Sequence, residues 1–216
     1  MFKRWQQMRQ DDAERWVALA RQSPMSDPSV DYPEWYLHRW HFLPEGYLWS
    51  RSVRLYEQRV RHVYNAFNER AVLRLVRGFL RRSGASDVLE VGCGPGYALA
   101  ELAGLPGAAL TGIDLSPFML DAATTRAGCA RLIHADATHL PVSDASLDAV
   151  VAIHLLGHVP GAVAATIVGE VGRVLRPGGR LIVADHAWHP LPALALRPAG
   201  GARAAGGTIR VRSFSA

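Results

Sequence analysis

The stretch VLEVGCGPG, residues 88–96, decides how this chain folds. Four residues typical of a buried strand lead into three glycines at alternate positions, and an apolar helical segment follows. Glycine lets the backbone turn sharply and lets a ligand approach the main chain, which a Cβ atom would prevent. The stretch predicts a ligand-binding strand–loop–helix unit, although a tight turn without a ligand has the same local pattern.

The spacing of these glycines is GxGxG, which differs from the GxGxxG of loops that bind a pyrophosphate. Glu90 lies in the predicted strand, two residues before the first glycine. A negative side chain there suits a cationic or hydroxyl-bearing ligand better than a diphosphate.

Two further acids follow predicted strands. Asp114 ends the strand 109–114, at a position that suits a ribose diol in doubly wound sheets, or it caps the next helix. Asp136 follows the strand 132–135, where its carboxylate can accept a hydrogen bond from an adenine amino group, or it is an ordinary loop acid.

Short apolar runs alternate with helical segments after Gly84, which predicts a doubly wound, mostly parallel, Rossmann-like α/β sheet with helices on both faces. The remaining strands are expected at 147–153 and 180–185, and the helices at 98–105, 117–127 and 162–175.

The first 85 residues have a different character. They carry 15 Lys and Arg against 9 Asp and Glu, and 14 of the 18 aromatic residues lie before Gly84. Helices are expected over the first 22 residues and from Ser52 onward, with an aromatic, proline-rich loop over 23–50. Residues 1–85 are therefore predicted to be a helical cap, with a lid over 28–64.

The composition excludes several classes. The chain of 216 residues is 49% hydrophobic and 20% charged, which is typical of globular proteins. It has no apolar run long enough to span a membrane and no signal-like start, so a cytoplasmic location is expected. Two cysteines, Cys93 and Cys129, exclude a disulfide scaffold and a zinc ribbon, and no metal site is expected.

The chain resembles the class I S-adenosylmethionine-dependent methyltransferases, most closely the small-molecule group with quinone and natural-product enzymes. The resemblance covers residues 86–186, the predicted cofactor-binding domain. The motifs that carry it are VLEVGCGPG (88–96), GIDLSPFML (112–120), HADATHLPVSDASLD (134–148), HLLGHVP (154–160) and RVLRPGGRLIVAD (173–185).

The resemblance implies a set of residues that hold S-adenosyl-L-methionine. They are Glu90, Gly92, Cys93, Gly94, Gly96, Asp114, Leu115, Asp136, Ala137 and His154. The strand acid and the glycines would hold the methionine and ribose parts, Asp114 the ribose hydroxyls, and Asp136 with Ala137 the adenine. Cys93 is expected to be a small filler and not a nucleophile.

The implied reaction is transfer of a methyl group to a hydrophobic or aromatic small molecule bound by the aromatic loop. His154 is the first candidate for a general base. Weaker candidates are His158, Asp185, His186, His38, His41, Tyr32, Tyr36 and Tyr47.

Several alternatives stay open. A nicotinamide-dependent oxidoreductase shares the strand–glycine loop–acid order, but its glycine spacing differs. The positive charges of the N-terminal half are interpreted as a solvated surface, so no nucleic acid partner is expected. Residues 2–9 could lie on a membrane surface, which would fit a lipid or quinone acceptor.

The tail, residues 187–216, is low in complexity. We expect it to be a loop or a disordered segment, or the result of a truncation. The sixth and seventh strands that the family fold has would then be incomplete in this chain. The alternative is therefore a methyltransferase-like protein that binds the cofactor but is catalytically incomplete.

Overall fold

Strands and helices alternate from residue 87 to residue 134 in the computed structural model, which describes residues 10–38, 43, 45–58, 69–186, 197–203 and 209–215. Its helices are α1 (Gln10–Ala20), α2 (Ser50–Leu55), α3 (Glu69–Ser83), α4 (Tyr97–Leu102), α5 (Pro117–Arg126) and α6 (Gly161–Val174). Its strands are β1 (Asp87–Val91), β2 (Ala109–Asp114), β3 (Arg131–His134), β4 (Leu147–Ile153), β5 (Leu175–His186), β6 (Arg197–Arg203) and β7 (Ile209–Ser215).

The described strands form one seven-stranded sheet in the order β3-β2-β1-β4-β5-β7-β6. Strands β1 to β5 pair in parallel, β7 is antiparallel to β5, and β6 is antiparallel to β7. The chain runs outward from β1 to β3 and then returns to β4, so the strand order reverses between β1 and β4. Ligands of doubly wound sheets bind at the carboxyl ends of the strands beside such a reversal.

The prediction of an incomplete C-terminal sheet is wrong. Residues 197–203, expected to lie in a loop, form β6, and β7 pairs with β5 from Arg180↔Ser215 to His186↔Ile209. The sequence RPAGGAR has low strand propensity, but pairing along β7 satisfies its backbone, and β6 is an edge strand, where proline is tolerated.

Alternate residues of the central strands face two separate cores, as a period of two requires. Val88 and Val151 face a cluster with α3, α4 and α5, whereas Leu89 and Val150 face a cluster with α6. Both faces of the sheet are therefore buried, and Glu90 lies on the same face of β1 as Val88.

A third, smaller core joins the N-terminal segment to the sheet. Ala20, Tyr36 and Leu48 pack with Leu115 at the end of β2, and Phe118 of α5 borders them. Residues 1–9 and 59–68 of the two expected N-terminal helices lie outside the described residues. Across the described residues, none of the helices has the length and hydropathy needed to cross a bilayer.

Candidate functional site

The three glycines of the loop after β1 all have left-handed backbone conformations. The φ angles of Gly92, Gly94 and Gly96 are 68°, 52° and 81°. A Cβ atom on Gly92 would lie 3.1 Å from Leu155, and one on Gly96 would lie 3.0 Å from Ala123. At Gly94 a Cβ atom would meet no described atom within 4 Å. The outer glycines thus allow close packing, and Gly94 leaves open space beside the main chain.

Glu90 points a carboxylate into this region from β1. Its side chain is only 3% exposed, and Oε2 has no hydrogen-bond partner among the described residues. Burial, with a further contribution from the nearby Asp114, raises the pKa of Glu90 well above its usual value. A buried acceptor without a partner is destabilising in the protein alone, so it suggests a ligand that donates to it.

Asp114 ties the end of β2 to the glycine loop. Its Oδ2 accepts a hydrogen bond from Gly94 N and its Oδ1 accepts one from Ser116 N, each at 2.8 Å. Burial raises the pKa of Asp114 to about 6, although these backbone donors partly oppose the effect. The N-cap of α5 is Ser116, which accepts from Met119 N, so Asp114 does not cap that helix. A carboxylate can accept about four hydrogen bonds, so Asp114 keeps capacity to accept from a ligand hydroxyl.

Asp136 and Ala137 lie at the same edge of the sheet because β3 pairs in parallel with β2. Ala135 N donates to Asp114 O at 3.3 Å, which brings the segment after β3 beside the end of β2. Both residues are half-buried, and Asp136 Oδ1 accepts from Thr138 N at 2.8 Å. Leu115, beside them, is buried in the third core.

Cys93 is buried between the glycine loop and β2. A Cβ atom on Gly112 would lie 2.9 Å from Cys93 Sγ, so the thiol fills the space that this glycine leaves. Burial raises the pKa of the Cys93 thiol well above its usual value. A protonated, buried thiol is a poor nucleophile, in agreement with the filler role expected from the sequence.

Two histidines and an acid meet at the ends of β4 and β5. His154 follows β4 directly and has a φ of 52°, a conformation that is uncommon outside glycine and often occurs at functional sites. Its ring lies 6.4 Å from the ring of His158, edge to face. His158 Nδ1 lies 3.9 Å from Asp185 Oδ1, and Asp185 Oδ2 accepts from Gly157 N at 2.7 Å.

The part of the chain that contains these strand ends is similar to proteins of known family. Residues 89–183 match the model of a methyltransferase domain family. This part of the chain is similar to a methyltransferase domain.

The similar proteins of known activity are themselves methyltransferases. An O-methyltransferase of Penicillium expansum is 39% identical over 112 residues, which are 49% of this chain and 40% of the relative. The 27-O-demethylrifamycin SV methyltransferase of Amycolatopsis mediterranei is 34% identical over 152 residues, which are 64% of this chain and 55% of the relative. The chain thus spans about half, or less, of the length of these relatives.

A solved structure shares the fold of the methyltransferase domain. The N-methyltransferase NodS of Bradyrhizobium japonicum, in complex with S-adenosyl-L-homocysteine, superposes with a TM-score of 0.63 at 20% identity. The match covers 77% of this chain and 97% of NodS.

Tyrosines of the N-terminal segment stack on one another near Asp114 of the methyltransferase domain. The rings of Tyr32 and Tyr36 lie 6.2 Å apart, and so do those of Tyr36 and Tyr47. The Asp114 charge adds to burial in raising the pKa of both Tyr36 and Tyr47. Ser116 Oγ donates to Tyr47 O at 2.7 Å, which fixes the segment against the end of β2.

His134 also binds the N-terminal segment to the methyltransferase domain, and sequence reasoning missed it. It is 5% exposed at the end of β3, and its Nδ1 accepts from Asp27 N at 2.9 Å. Its Nε2 lies 3.1 Å from Leu115 O and 3.3 Å from the Tyr32 hydroxyl. Because Nδ1 accepts, the ring is neutral with its proton on Nε2, which donates to Leu115 O.

Arg126 at the end of α5 was missed as well, because its contacts are distant in sequence. Its guanidinium donates to Pro95 O in the glycine loop and to Glu57 Oε1 at 2.7 Å. It also lies over the Tyr97 ring, 3.9 Å from the centroid. The only local signal was an arginine in the last turn of a helix.

Some weaker candidates have no described geometry. His41 lies outside the described residues, as do residues 2–9, the predicted membrane-contacting segment, and the position of the His186 side chain is not described. His38 is half-buried in the N-terminal segment.

Proposed function

We propose that this chain binds S-adenosyl-L-methionine and transfers its methyl group to a hydrophobic or aromatic small molecule. The observation that carries the proposal is the carboxylate of Glu90, which is buried, has an oxygen that no described residue satisfies, and lies near Asp114, the acceptor of Gly94 N. A ligand that donates hydrogen bonds and carries positive charge fits that pair, whereas a diphosphate would be repelled.

In this proposal, the residues at the carboxyl ends of the strands each bind a different part of the cofactor. Glu90 and the loop 92–96 hold the methionine and ribose parts, and Asp114 accepts from the ribose hydroxyls. Asp136 and Ala137 hold the adenine, with Leu115 against it. When bound, S-adenosyl-L-methionine supplies an electrophilic methyl carbon on a sulfonium, and the task of the chain is to align an acceptor with it and exclude water.

A general base at the ends of β4 and β5 would take the proton of a hydroxyl acceptor. His154 is the base expected from the sequence, and its left-handed backbone supports a role there. His158 is the second candidate, supported by the distance of 3.9 Å to Asp185. A carboxylate beside an imidazole orients the ring and balances the charge that the ring gains with the proton.

The acceptor is proposed to bind under the aromatic segment of the N-terminal cap. Tyr36 and Tyr47 supply large apolar surfaces with few rotors to freeze, as an apolar small-molecule pocket requires. The relatives with names that state a position are O-methyltransferases, and one methylates a rifamycin. An oxygen of an apolar natural product is thus the acceptor class with most support.

A quinone acceptor is the second candidate. The demethylmenaquinone methyltransferase of Tropheryma whipplei is 40% identical over 114 residues, 48% of this chain. Turnover on a quinone supplied in its reduced quinol form in vesicles, compared with soluble phenols, distinguishes the two acceptor classes.

Calorimetric titration of the purified chain with S-adenosylhomocysteine, and separately with NADH, tests the cofactor. We expect S-adenosylhomocysteine to bind and NADH not to bind, and the reverse result would establish an oxidoreductase instead. Turnover is then followed as a gain of one methyl group in the mass of candidate acceptors. Binding without turnover on a broad panel would favour the catalytically incomplete alternative.

The lid over residues 28–64 is tested by limited proteolysis. We expect cleavage within residues 23–50 to slow when S-adenosylhomocysteine and an acceptor are both added. Unchanged cleavage would show that the segment packs as a fixed part of the domain.

A further inference from the structure

The glycine loop is held by contacts from outside its own strand and helix. Three of its five residues, Gly92, Gly94 and Gly96, have positive φ angles, and glycine loses more conformational freedom on ordering than any other residue. A loop of this kind binds a ligand tightly only when other groups hold it in the bound shape beforehand.

Two side chains hold the loop through its backbone. Asp114 accepts from Gly94 N, and on the other side Arg126 donates to Pro95 O. The first contact belongs to the predicted cofactor site. The second comes from the end of α5 and has no place in that site.

Arg126 is itself fixed by the N-terminal segment. Glu57 Oε1 accepts both from Arg126 at 2.7 Å and from the Tyr97 hydroxyl at 3.0 Å. The Tyr97 ring lies under the guanidinium, and Tyr97 is the first residue of α4, directly after the loop. Glu57 and Arg126 are 27% and 28% exposed, so the pair is partly shielded from water.

We propose that Arg126 is a positioning residue that transmits the placement of Glu57, in the N-terminal segment, to the glycine loop and so sets the affinity for the cofactor. The guanidinium suits this task because its planar fork can bond a carbonyl and a carboxylate together while one face stacks on an aromatic ring. The inference rests on the proposed function, since the ligand of the loop is S-adenosylmethionine or its product.

The experiment measures the dissociation constant of S-adenosylhomocysteine by calorimetry, and the melting temperature of each variant without ligand. We expect Arg126→Met to weaken binding at least tenfold, which is about 1.4 kcal/mol. Arg126→Lys keeps the charge but reaches one acceptor at a time, so an intermediate loss is expected. Glu57→Gln should weaken binding severalfold, because Arg126 keeps Pro95 but loses its anchor.

Arg77 offers a matched control in the same fold. It likewise pairs with a glutamate, Glu101 at 3.2 Å, and donates to a backbone carbonyl, that of Gly104, beyond the far end of α4. Arg77→Met should leave the dissociation constant within twofold of the wild-type value.

The outcomes separate the inference from the function on which it rests. Wild-type protein that fails to bind S-adenosylhomocysteine overturns both. Wild-type binding with Arg126→Met within twofold of it overturns the inference alone. Equal losses in Arg126→Met and Arg77→Met would also overturn it, because they would report general destabilisation. If Arg126→Met does not fold, Arg126→Lys and Glu57→Gln decide by the same criteria.

Discussion

Replacing Glu90 by glutamine should stabilise the ligand-free protein at neutral and alkaline pH while it weakens cofactor binding. Glu90 is 3% exposed and its Oε2 has no partner among the described residues. Leaving a buried polar group unsatisfied costs about 1–3 kcal/mol, and more when the group is charged. Because the glutamine amide keeps an unsatisfied donor, the net gain should be roughly half of that range, about 0.5–1.5 kcal/mol.

The effect should depend on pH in a defined direction. Burial raises the pKa of Glu90 in the folded state, whereas in the unfolded chain it ionises near its usual value of about 4.5. The contribution of Glu90 to stability is thus complete below about pH 4.5 and is lost as pH rises through the folded-state pKa. Wild type and Glu90→Gln should melt together at pH 4 and separate by roughly 4 °C at pH 8.

Thermal unfolding from pH 4 to 9 and calorimetry with S-adenosylhomocysteine check this prediction. Binding should weaken at least tenfold in Glu90→Gln, because the negative charge that faces the ligand is removed. Glu101→Gln, at a pair exposed to solvent, should change neither measurement by more than the small effect of a surface ion pair. The reasoning is refuted if Glu90→Gln melts lower than wild type at pH 8, or if it binds the probe with unchanged affinity.

Four further substitutions separate binding, stability and turnover. Gly94→Ala and Gly107→Ala place a side chain at φ angles of 52° and 73°, so thermal melting should show a similar stability loss of about 1–2 kcal/mol in both. Calorimetry should show that the binding of S-adenosylhomocysteine is abolished only in Gly94→Ala. Burial lowers the pKa of His134, so the stability that its neutral ring supplies should be lost as pH falls below about 6.5, and His134→Gln should flatten that part of the melting profile. Asp185→Asn should lower kcat by roughly 100-fold with unchanged affinity for S-adenosylhomocysteine, and equal kcat values would remove Asp185 from the mechanism.

The local patterns of the sequence were sufficient for most of the sheet. Strands β2 and β4 have the predicted bounds, because short, mostly apolar segments are typical of strands with both faces buried. Strand β6 could not be predicted, since a segment of proline, glycine and arginine becomes a strand only where β7 offers a partner. Its structure depends on pairing over a distance in sequence, and propensity contains no such information.

The candidate site divides in the same way. Glu90, the loop glycines and Asp114 could be predicted as candidates because each lies near or just after the carboxyl end of a strand, and parallel strands bring these ends to one edge. Arg126 and His134 were missed because their partners, Glu57 and Asp27, are 69 and 107 residues away. Both connect the N-terminal segment to the edge of the sheet, and a single sequence contains no signal for contacts between those two parts of the chain.

Three kinds of departure from ordinary folding rules meet at this edge. An unsatisfied carboxylate in a buried strand, three left-handed glycines at alternate positions of one loop and a left-handed His154 each oppose stability, and each lies at or next to the carboxyl end of β1 or β4. Such violations are expected where function requires them, with compensation elsewhere. Here the compensation comes from the N-terminal segment, through Glu57 on Arg126 and Asp27 on His134. The segment proposed to choose the acceptor thus also contacts the edge proposed to bind the cofactor, so changes that broaden acceptor choice there should first be detected as weaker binding of S-adenosylhomocysteine.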